Sequence, residues 1–246
     1  MTVRVVSLGD STSCGEGVGL AVPLDRTWPA LLAAAVPGAA FLPLAVAGSK
    51  VRDVLAHQLP VAVAAEPHLA TLLIGLNDVA RGGFRPESVD DDLRAVVRAL
   101  RRTGSTVLLG RLHDPCRHLP LPRGLREQAA ERVAAVNAAV DRAAAERGAR
   151  GVVHVLDLDA VPELRRREAW AVDRLHPNAG AHAVLAAAAA DLLRSAGLDI
   201  GVPAGQPLPA RAPGRARVAW WATRHGLPWV ATHARDVLVP ALAAAR

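Results

Sequence analysis

Four short stretches of the 246-residue chain carry the side chains that acyl transfer requires: Gly9-Asp10-Ser11, Ala47-Gly48-Ser49, Gly75-Leu76-Asn77-Asp78 and Asp173-Arg174-Leu175-His176-Pro177. A serine hydroxyl is a poor nucleophile at neutral pH and needs a base within hydrogen-bond reach. That base needs a partner to fix its tautomer and stabilise its cation. Ser11, His176 and Asp173 suit those roles, and the short spacing lets the Asp173 carboxylate meet the His176 Nδ1 across a single tight turn. Pro177 biases His176 away from helical backbone and itself suits a first helical position, which would hold the histidine at a helix mouth. A tetrahedral intermediate also needs donors aimed at its oxyanion, each worth about 3 to 4 kcal/mol. The backbone N–H groups of Ser11 and Gly48 and the side-chain amide of Asn77 are the candidates. Glycine at 48 permits the close approach or positive φ that an inward-pointing amide demands.

Each residue also has a plainer reading. Ser11 alone would be a turn or cap residue, Gly48 a turn, Asn77 and Asp78 a strand terminus, and His176 a helix cap beside proline. Asp173 could be a solvated loop carboxylate, with Asp10 and Asp78 as alternative acids; Asp10 reads better as a brace for the nucleophile loop. Asp10, Cys14, Asp78, His113 and Trp170 are expected to line the pocket, and the crossover HDPCRHLPLPR from His113 to help shape it. Gly15, Gly17 and Gly19 raise a rival reading as a phosphate-cradling loop. The stretch GEGVGLAVP places its third glycine one residue early for a dinucleotide fingerprint and contains no Gly-Lys-Ser/Thr, so these glycines read as a mobile loop beside the nucleophile.

Positioning these groups takes a sheet. Continuous apolar runs at 3–8, 41–47, 69–75, 106–112 and 151–156 predict five buried parallel strands. Helical patterns fall between them at 28–35, 50–58, 89–102 and 123–147, with a last one at 179–195. This alternation predicts an α/β fold of three layers with right-handed crossovers, and the four chemical stretches then converge at the carboxyl edge of the sheet. The domain is expected to span 1–197, followed by a Pro/Gly-rich linker at 198–213 and an amphipathic helical tail at 214–246, with Pro228 opening its second part. The tail carries Trp220, Trp221 and Trp229 beside Arg217, Arg224 and Arg235, and reads as a helix folded back on the domain or pairing two subunits. A membrane-surface contact is the alternative.

Composition narrows the classes further. Hydrophobic residues make up 51% and charged residues 21%, which describes a globular chain. The formal net charge of +6 rests almost entirely on arginines spread along the sequence, so no nucleic-acid partner is expected. The amino terminus has no signal-peptide pattern, no stretch is long enough to span a bilayer, and Cys14 and Cys116 suit a reducing compartment, which together predict a cytoplasmic protein. No metal-ligand spacing is present and no cofactor is expected. With no tyrosine and two phenylalanines there is little surface for stacking sugars, which favours a small-molecule ester or acyl substrate.

The four stretches resemble the GDSL-like, or SGNH, hydrolase superfamily, whose blocks match Ser11 in GDS, Gly48 in AGS, Asn77 in GLND and His176 in DRLHP, with Asp173 at the triad acid. The blocks run in family order from Gly9 to Pro177, and Thr12 stands where the family name has leucine. The resemblance implies a flavodoxin-like doubly wound sheet of order 2-1-3-4-5, no metal, and a serine esterase or lipase that cleaves an ester or thioester through an acyl-enzyme. An acyltransferase using an alcohol or amine acceptor, or a non-catalytic binding module on the same fold, would carry the same residues.

Overall fold

A computed structural model describes residues 2–147 and 150–232. Residues 233–246 of the expected tail lie outside the described residues. Five parallel strands form the central sheet: β1 (Val3–Gly9), β2 (Ala39–Pro43), β3 (Leu69–Leu73), β4 (Thr106–Arg111) and β5 (Val153–Asp157), in the order β2-β1-β3-β4-β5. Strand β3, LATLL, is buried at every position, because helices cover a parallel sheet on both faces. The helices are α1 (Trp28–Ala34), a continuous α2 (Val51–Asp53, a π turn at Val54–Gln58, then Leu59–Ala64), α3 (Pro86–Arg102), α4 (Arg123–Ala145) and α5 (Ala179–Ser195). Helix α1 packs on α5, and α2 and α4 pack on α3. Helix α3 shows why: Pro86 suits its first turn, and Val89, Leu93, Val96, Val97 and Leu100 form one buried stripe.

The differences from the expected elements have local causes. Strand β2 begins at Ala39 and stops at Pro43, which has no N–H to give its neighbour; the chain still follows β1, with Leu44 N–H donating to Ser7 O at 2.8 Å. Helix α2 runs past Pro60 to Ala64 because the π turn just before it relaxes the ladder that proline would break. Pro177 precedes α5 without joining it. Asn178 takes the cap, its Oδ1 accepting the Ala181 N–H at 3.0 Å, while Pro177 pairs with Trp170 in an isolated bridge.

The glycine-rich stretch after Ser11 is a small antiparallel hairpin, Glu16–Gly17 against Leu20–Ala21. Residues 198–213 contain no helix or strand, yet they pack on the domain. Gly201 N–H donates to Ala35 O at 2.7 Å, Ile200 is buried, and Pro207 and Leu208 lie directly over Gly180. Beyond them α6 (Arg215–Trp221, a π turn at Ala222–Gly226, then Leu227–Thr232) returns to the hairpin: the Trp221 indole N–H donates to Val18 O at 2.8 Å, and the His225 ring lies where a side chain on Gly19 would stand.

Candidate active site

Strand β1 ends at a residue that must be glycine. Gly9 has φ +141°, and a Cβ there would stand 2.3 Å from the Leu73 carbonyl oxygen of β3. The next residue, Asp10, caps a single helical turn, Ser11–Cys14, its Oδ1 accepting the Thr12 N–H at 2.9 Å. Ser11 is thereby the first residue of a helix mounted on the carboxyl end of a central strand. Burial raises the Asp10 carboxyl above its ordinary value, opposed by the Thr12 N–H, His176 and Asn77.

The other side of the site is the turn 171–176. Ala171 N–H donates to His176 O at 2.8 Å, and Arg174 occupies the left-handed region at φ +65°. The Asp173 carboxylate closes its own turn, Oδ1 accepting the N–H groups of Leu175 and His176 at 3.0 and 3.1 Å. Its Oδ2 lies 2.5 Å from His176 Nδ1, and His176 Nε2 lies 2.9 Å from Ser11 Oγ. Burial alone would raise the Asp173 carboxyl, but the hydrogen bond and charge of His176 and the two backbone donors bring it below the ordinary carboxylate value. A carboxylate on Nδ1 keeps the proton on that nitrogen and leaves Nε2 free to accept from the serine hydroxyl.

Asn77 ties the remaining loops together. Its Nδ2 donates to Ser49 O at 3.1 Å and more weakly to Asp10 Oδ2 at 3.4 Å, so the strand ends at 10, 49 and 77 form one hydrogen-bonded unit. Gly48, at φ +81°, keeps its N–H free of any protein acceptor among the described residues, as does Ser11. Gln58 braces the same unit from α2, its amide spanning both the N–H and the carbonyl of Gly9.

A cavity of about 310 Å³ opens beside Ser11 and His176, walled by Leu20, Val22, Pro23 and Ala171 among others. None of the five residues expected to line the pocket is on the wall of this cavity. Asp10 and Asp78 are spent on backbone amides, Asp78 Oδ2 accepting the Val51 N–H at 3.1 Å. His113 and Trp170 are 8% and 3% exposed and stack on each other with centroids 4.4 Å apart, the Trp170 indole donating to Leu164 O. Cys14 is half-buried outside the cavity wall, and no residue of the crossover 113–123 reaches that wall.

Three residues not singled out from the sequence, Arg26, Arg81 and His182, belong to the site, and so does Gly17 of the glycine-rich stretch. Gly17 of the hairpin abuts the His176 imidazole: a Cβ there would stand 2.9 Å from His176 Nδ1. The Arg81 guanidinium sits over Gly48, its Nη2 3.1 Å from where a Cβ would stand; it follows Asn77 by one helical turn, the only sequence signal available. Arg26 is exposed at the cavity rim. His182, on the first turn of α5, is fully buried and lines the cavity; its Nδ1 accepts the Trp28 N–H at 3.1 Å, which places the proton of the neutral ring on Nε2, and burial pushes its pKa down to about 4. A second cavity, about 350 Å³, is lined by Arg111, Asn137 and Asp141 and holds no serine or histidine. Among the described residues no group of three His, Cys, Asp or Glu could hold a metal ion, and no helix is long and apolar enough to cross a membrane.

The GDSL-like Lipase/Acylhydrolase family matches residues 7–184, a stretch that contains every element of this constellation. The chain belongs to that family. It is accordingly an ester-hydrolysing serine hydrolase. No curated protein matches it. Among solved structures, GDSL-like folds return with low identity. The psychrotrophic esterase EstA from Pseudoalteromonas sp. is 16% identical with a TM-score of 0.60, covering 78% of this chain and 97% of its own. The acetylxylan esterase Axe2 from Geobacillus stearothermophilus is 22% identical with a TM-score of 0.55, covering 76% and 91%. The carbohydrate esterase family 3 protein from Talaromyces cellulolyticus is 16% identical with a TM-score of 0.61, covering 79% and 98%. These likenesses establish the fold, and they leave α6 in the part of the chain that the family match does not reach.

Proposed function

We propose that the chain cleaves a small carboxylic ester or thioester by way of an acyl-enzyme on Ser11. The observation that carries this reading is the unbroken line from Asp173 Oδ2 through His176 to Ser11 Oγ, at 2.5 and 2.9 Å. Ser11 Oγ attacks the acyl carbon while its proton passes to His176 Nε2, and the Asp173 carboxylate stabilises the imidazolium. The Ser11 and Gly48 N–H groups hold the oxyanion. Asn77 joins them by giving up its 3.4 Å contact with Asp10, the weaker of its two. Collapse of the tetrahedral intermediate breaks the bond to the leaving oxygen or sulfur, which takes the proton from Nε2. Water then attacks the acyl-enzyme, His176 accepting its proton and returning it to Ser11.

The cavity supports a short acyl or alcohol portion, since its walls are mostly apolar and its volume of about 310 Å³ is small for a ligand site. Stacking of sugars is not supported, because Trp170 is consumed by His113. Fluorophosphonate labelling and p-nitrophenyl ester turnover test the reading: the wild type should label and turn over, and Ser11→Ala should do neither, with kcat reduced about 10^4-fold or more. A labelled Ser11→Ala protein would exclude Ser11 as nucleophile. Product analysis with added alcohols separates hydrolysis from acyl transfer.

A further inference from the structure

Although arginines are spread along the sequence, acidic residues nearly balance them outside the carboxyl end: residues 200–246 contain six arginines and one aspartate, and the whole chain has a formal net charge of +6. The same segment holds three of the five tryptophans. Within it, α6 carries Arg215, Arg217 and Arg224 and no acidic residue. One face of this helix is committed to the domain, through Trp221 on Val18 and His225 on Gly19. Among the described residues, the side of the helix next to that contact is exposed. Trp220 is 61% and Leu227 63% exposed, and Arg217 and Arg224 are exposed beside them. Positions 217, 220, 224 and 227 recur at intervals of three and four and so run along one side of the helix, through its π turn and beside the docked Trp221 and His225. The Trp220 ring stands edge-on to His225, the residue that seats the helix, with centroids 5.7 Å apart.

We propose that this outer stripe of α6 docks on an anionic phospholipid bilayer. Trp220 and Leu227 would enter the boundary between headgroups and acyl chains, and Arg217 and Arg224 would meet the lipid phosphates. The chemistry favours this occupant. An exposed tryptophan and leucine, with arginine as the only formally charged residue type on the helix, complement a surface that is apolar below and anionic above. A nucleic acid makes no use of an exposed leucine, and a second copy of the stripe would set arginine against arginine. The helix is tied to the hairpin that walls the catalytic cavity, so docking would set that cavity at the lipid surface. The surface is independent of the chemistry proposed for Ser11.

Flotation of the full-length protein with unilamellar vesicles provides the test. The protein should float with vesicles containing phosphatidylglycerol, not with phosphatidylcholine alone, and less as salt is raised. Arg217→Gln/Arg224→Gln should bind about thirtyfold more weakly, the factor that corresponds to about 1 kcal/mol for each arginine at an anionic surface. Trp220→Ser/Leu227→Ser should no longer float, while hydrolysing soluble p-nitrophenyl acetate at the wild-type rate. Ser11→Ala should float like the wild type, which separates failure of docking from failure of the catalytic reading. The proposal is overturned by a wild type that ignores phosphatidylglycerol vesicles, or by both double variants floating unchanged. It is also overturned by retention on DNA, or by a dimer lost in Trp220→Ser/Leu227→Ser, without vesicle binding.

Discussion

The cavity beside Ser11 and His176 has two sides built by different means. On one side Ser11, Ala171 and His176 line the cavity, and behind them the strand ends at 9–11, 48–49 and 77–78 and the turn 171–176 are cross-linked by side-chain hydrogen bonds: Asp173 to His176, His176 to Ser11, Asn77 to Ser49 and Asp10, and Gln58 to Gly9. On the other side the hairpin Glu16–Ala21 has only two paired positions of its own and is held in place from outside, by Trp221 and His225 of α6. The first wall fixes reacting atoms to the tolerance that proton transfer requires, and it does so before substrate arrives. The second wall fixes only the shape of the space beside them. Chemistry and substrate fit therefore rest on separate structural elements, and substitutions on the two sides should fail differently.

The largest effect belongs to the first wall. Asp173→Asn keeps the size of the side chain and its ability to accept from the Leu175 and His176 N–H groups, but it can present an N–H to His176 Nδ1. The imidazole would then carry its proton on Nε2 and could not accept from Ser11. We expect kcat to fall about ten-thousandfold, with KM and thermal stability nearly unchanged. A loss of tenfold or less in p-nitrophenyl ester turnover would show that the 2.5 Å contact is structural and that another carboxylate supports the histidine.

The same contrast explains what the sequence made legible. Three of the four blocks could be found because each lies just after an apolar strand, and the fourth, Asp173–His176, because it sits just before α5; a parallel sheet delivers such loops to one edge. The five strands follow from the same pattern, as do α1, α3, α4 and α5, whereas the strand order rests on the resemblance to the SGNH superfamily. Which way a side chain points within that edge was not legible. His113 and Trp170 lie at the correct end of the sheet but turn into each other, and Asp78 turns to the Val51 amide; pairwise packing of residues far apart in sequence decides those directions. The hairpin escaped notice because GEGVGLA has neither the alternation nor the β-branched residues of a strand, and its partner Trp221 lies 203 residues away. Arg81 was hidden for a similar reason, since only the fold carries it over Gly48.

A second test concerns the buried ionisable groups that frame the first wall. Burial pushes His113 and His182 down to about 4, from an ordinary 6.5, so both fold as neutral rings. Their depressed values mean that the unfolded chain binds more protons, and stability is lost as pH falls from about 6.5 towards 4. Asp78 has the opposite sign. Burial, opposed by the Val51 N–H and Lys50, raises it to about 6 from 3.8, so its ionised form burdens the fold above pH 6 and that burden disappears on acidification. Asn copies the protonated acid and can still accept the Val51 N–H. Asp78→Asn should therefore exceed the wild type by about 3 kcal/mol at pH 7.5, with the gap closing between pH 6 and 4. Guanidinium denaturation at the two ends of that range measures it; a gap independent of pH would show that Asp78 is ionised at no cost.

The smallest effect should come from the second wall. Trp221→Phe removes the indole N–H that reaches Val18 O and keeps most of the ring, so it costs about 1 kcal/mol of support to the hairpin. Gly17 lies over the face of the His176 ring, where a Cβ would stand 2.9 to 3.2 Å from Nδ1, Cγ and Cε1, while the ring's orientation is fixed at its edges by Asp173 and Ser11. A loosened hairpin should then widen the cavity without moving the proton path. We expect KM for p-nitrophenyl butyrate to rise about fivefold, the equivalent of that support, with kcat within about twofold of wild type. Steady-state kinetics on a short acyl series would read both constants. If kcat fell while KM held, the hairpin would be acting on His176 itself, and the division between a wall for chemistry and a wall for fit would not stand.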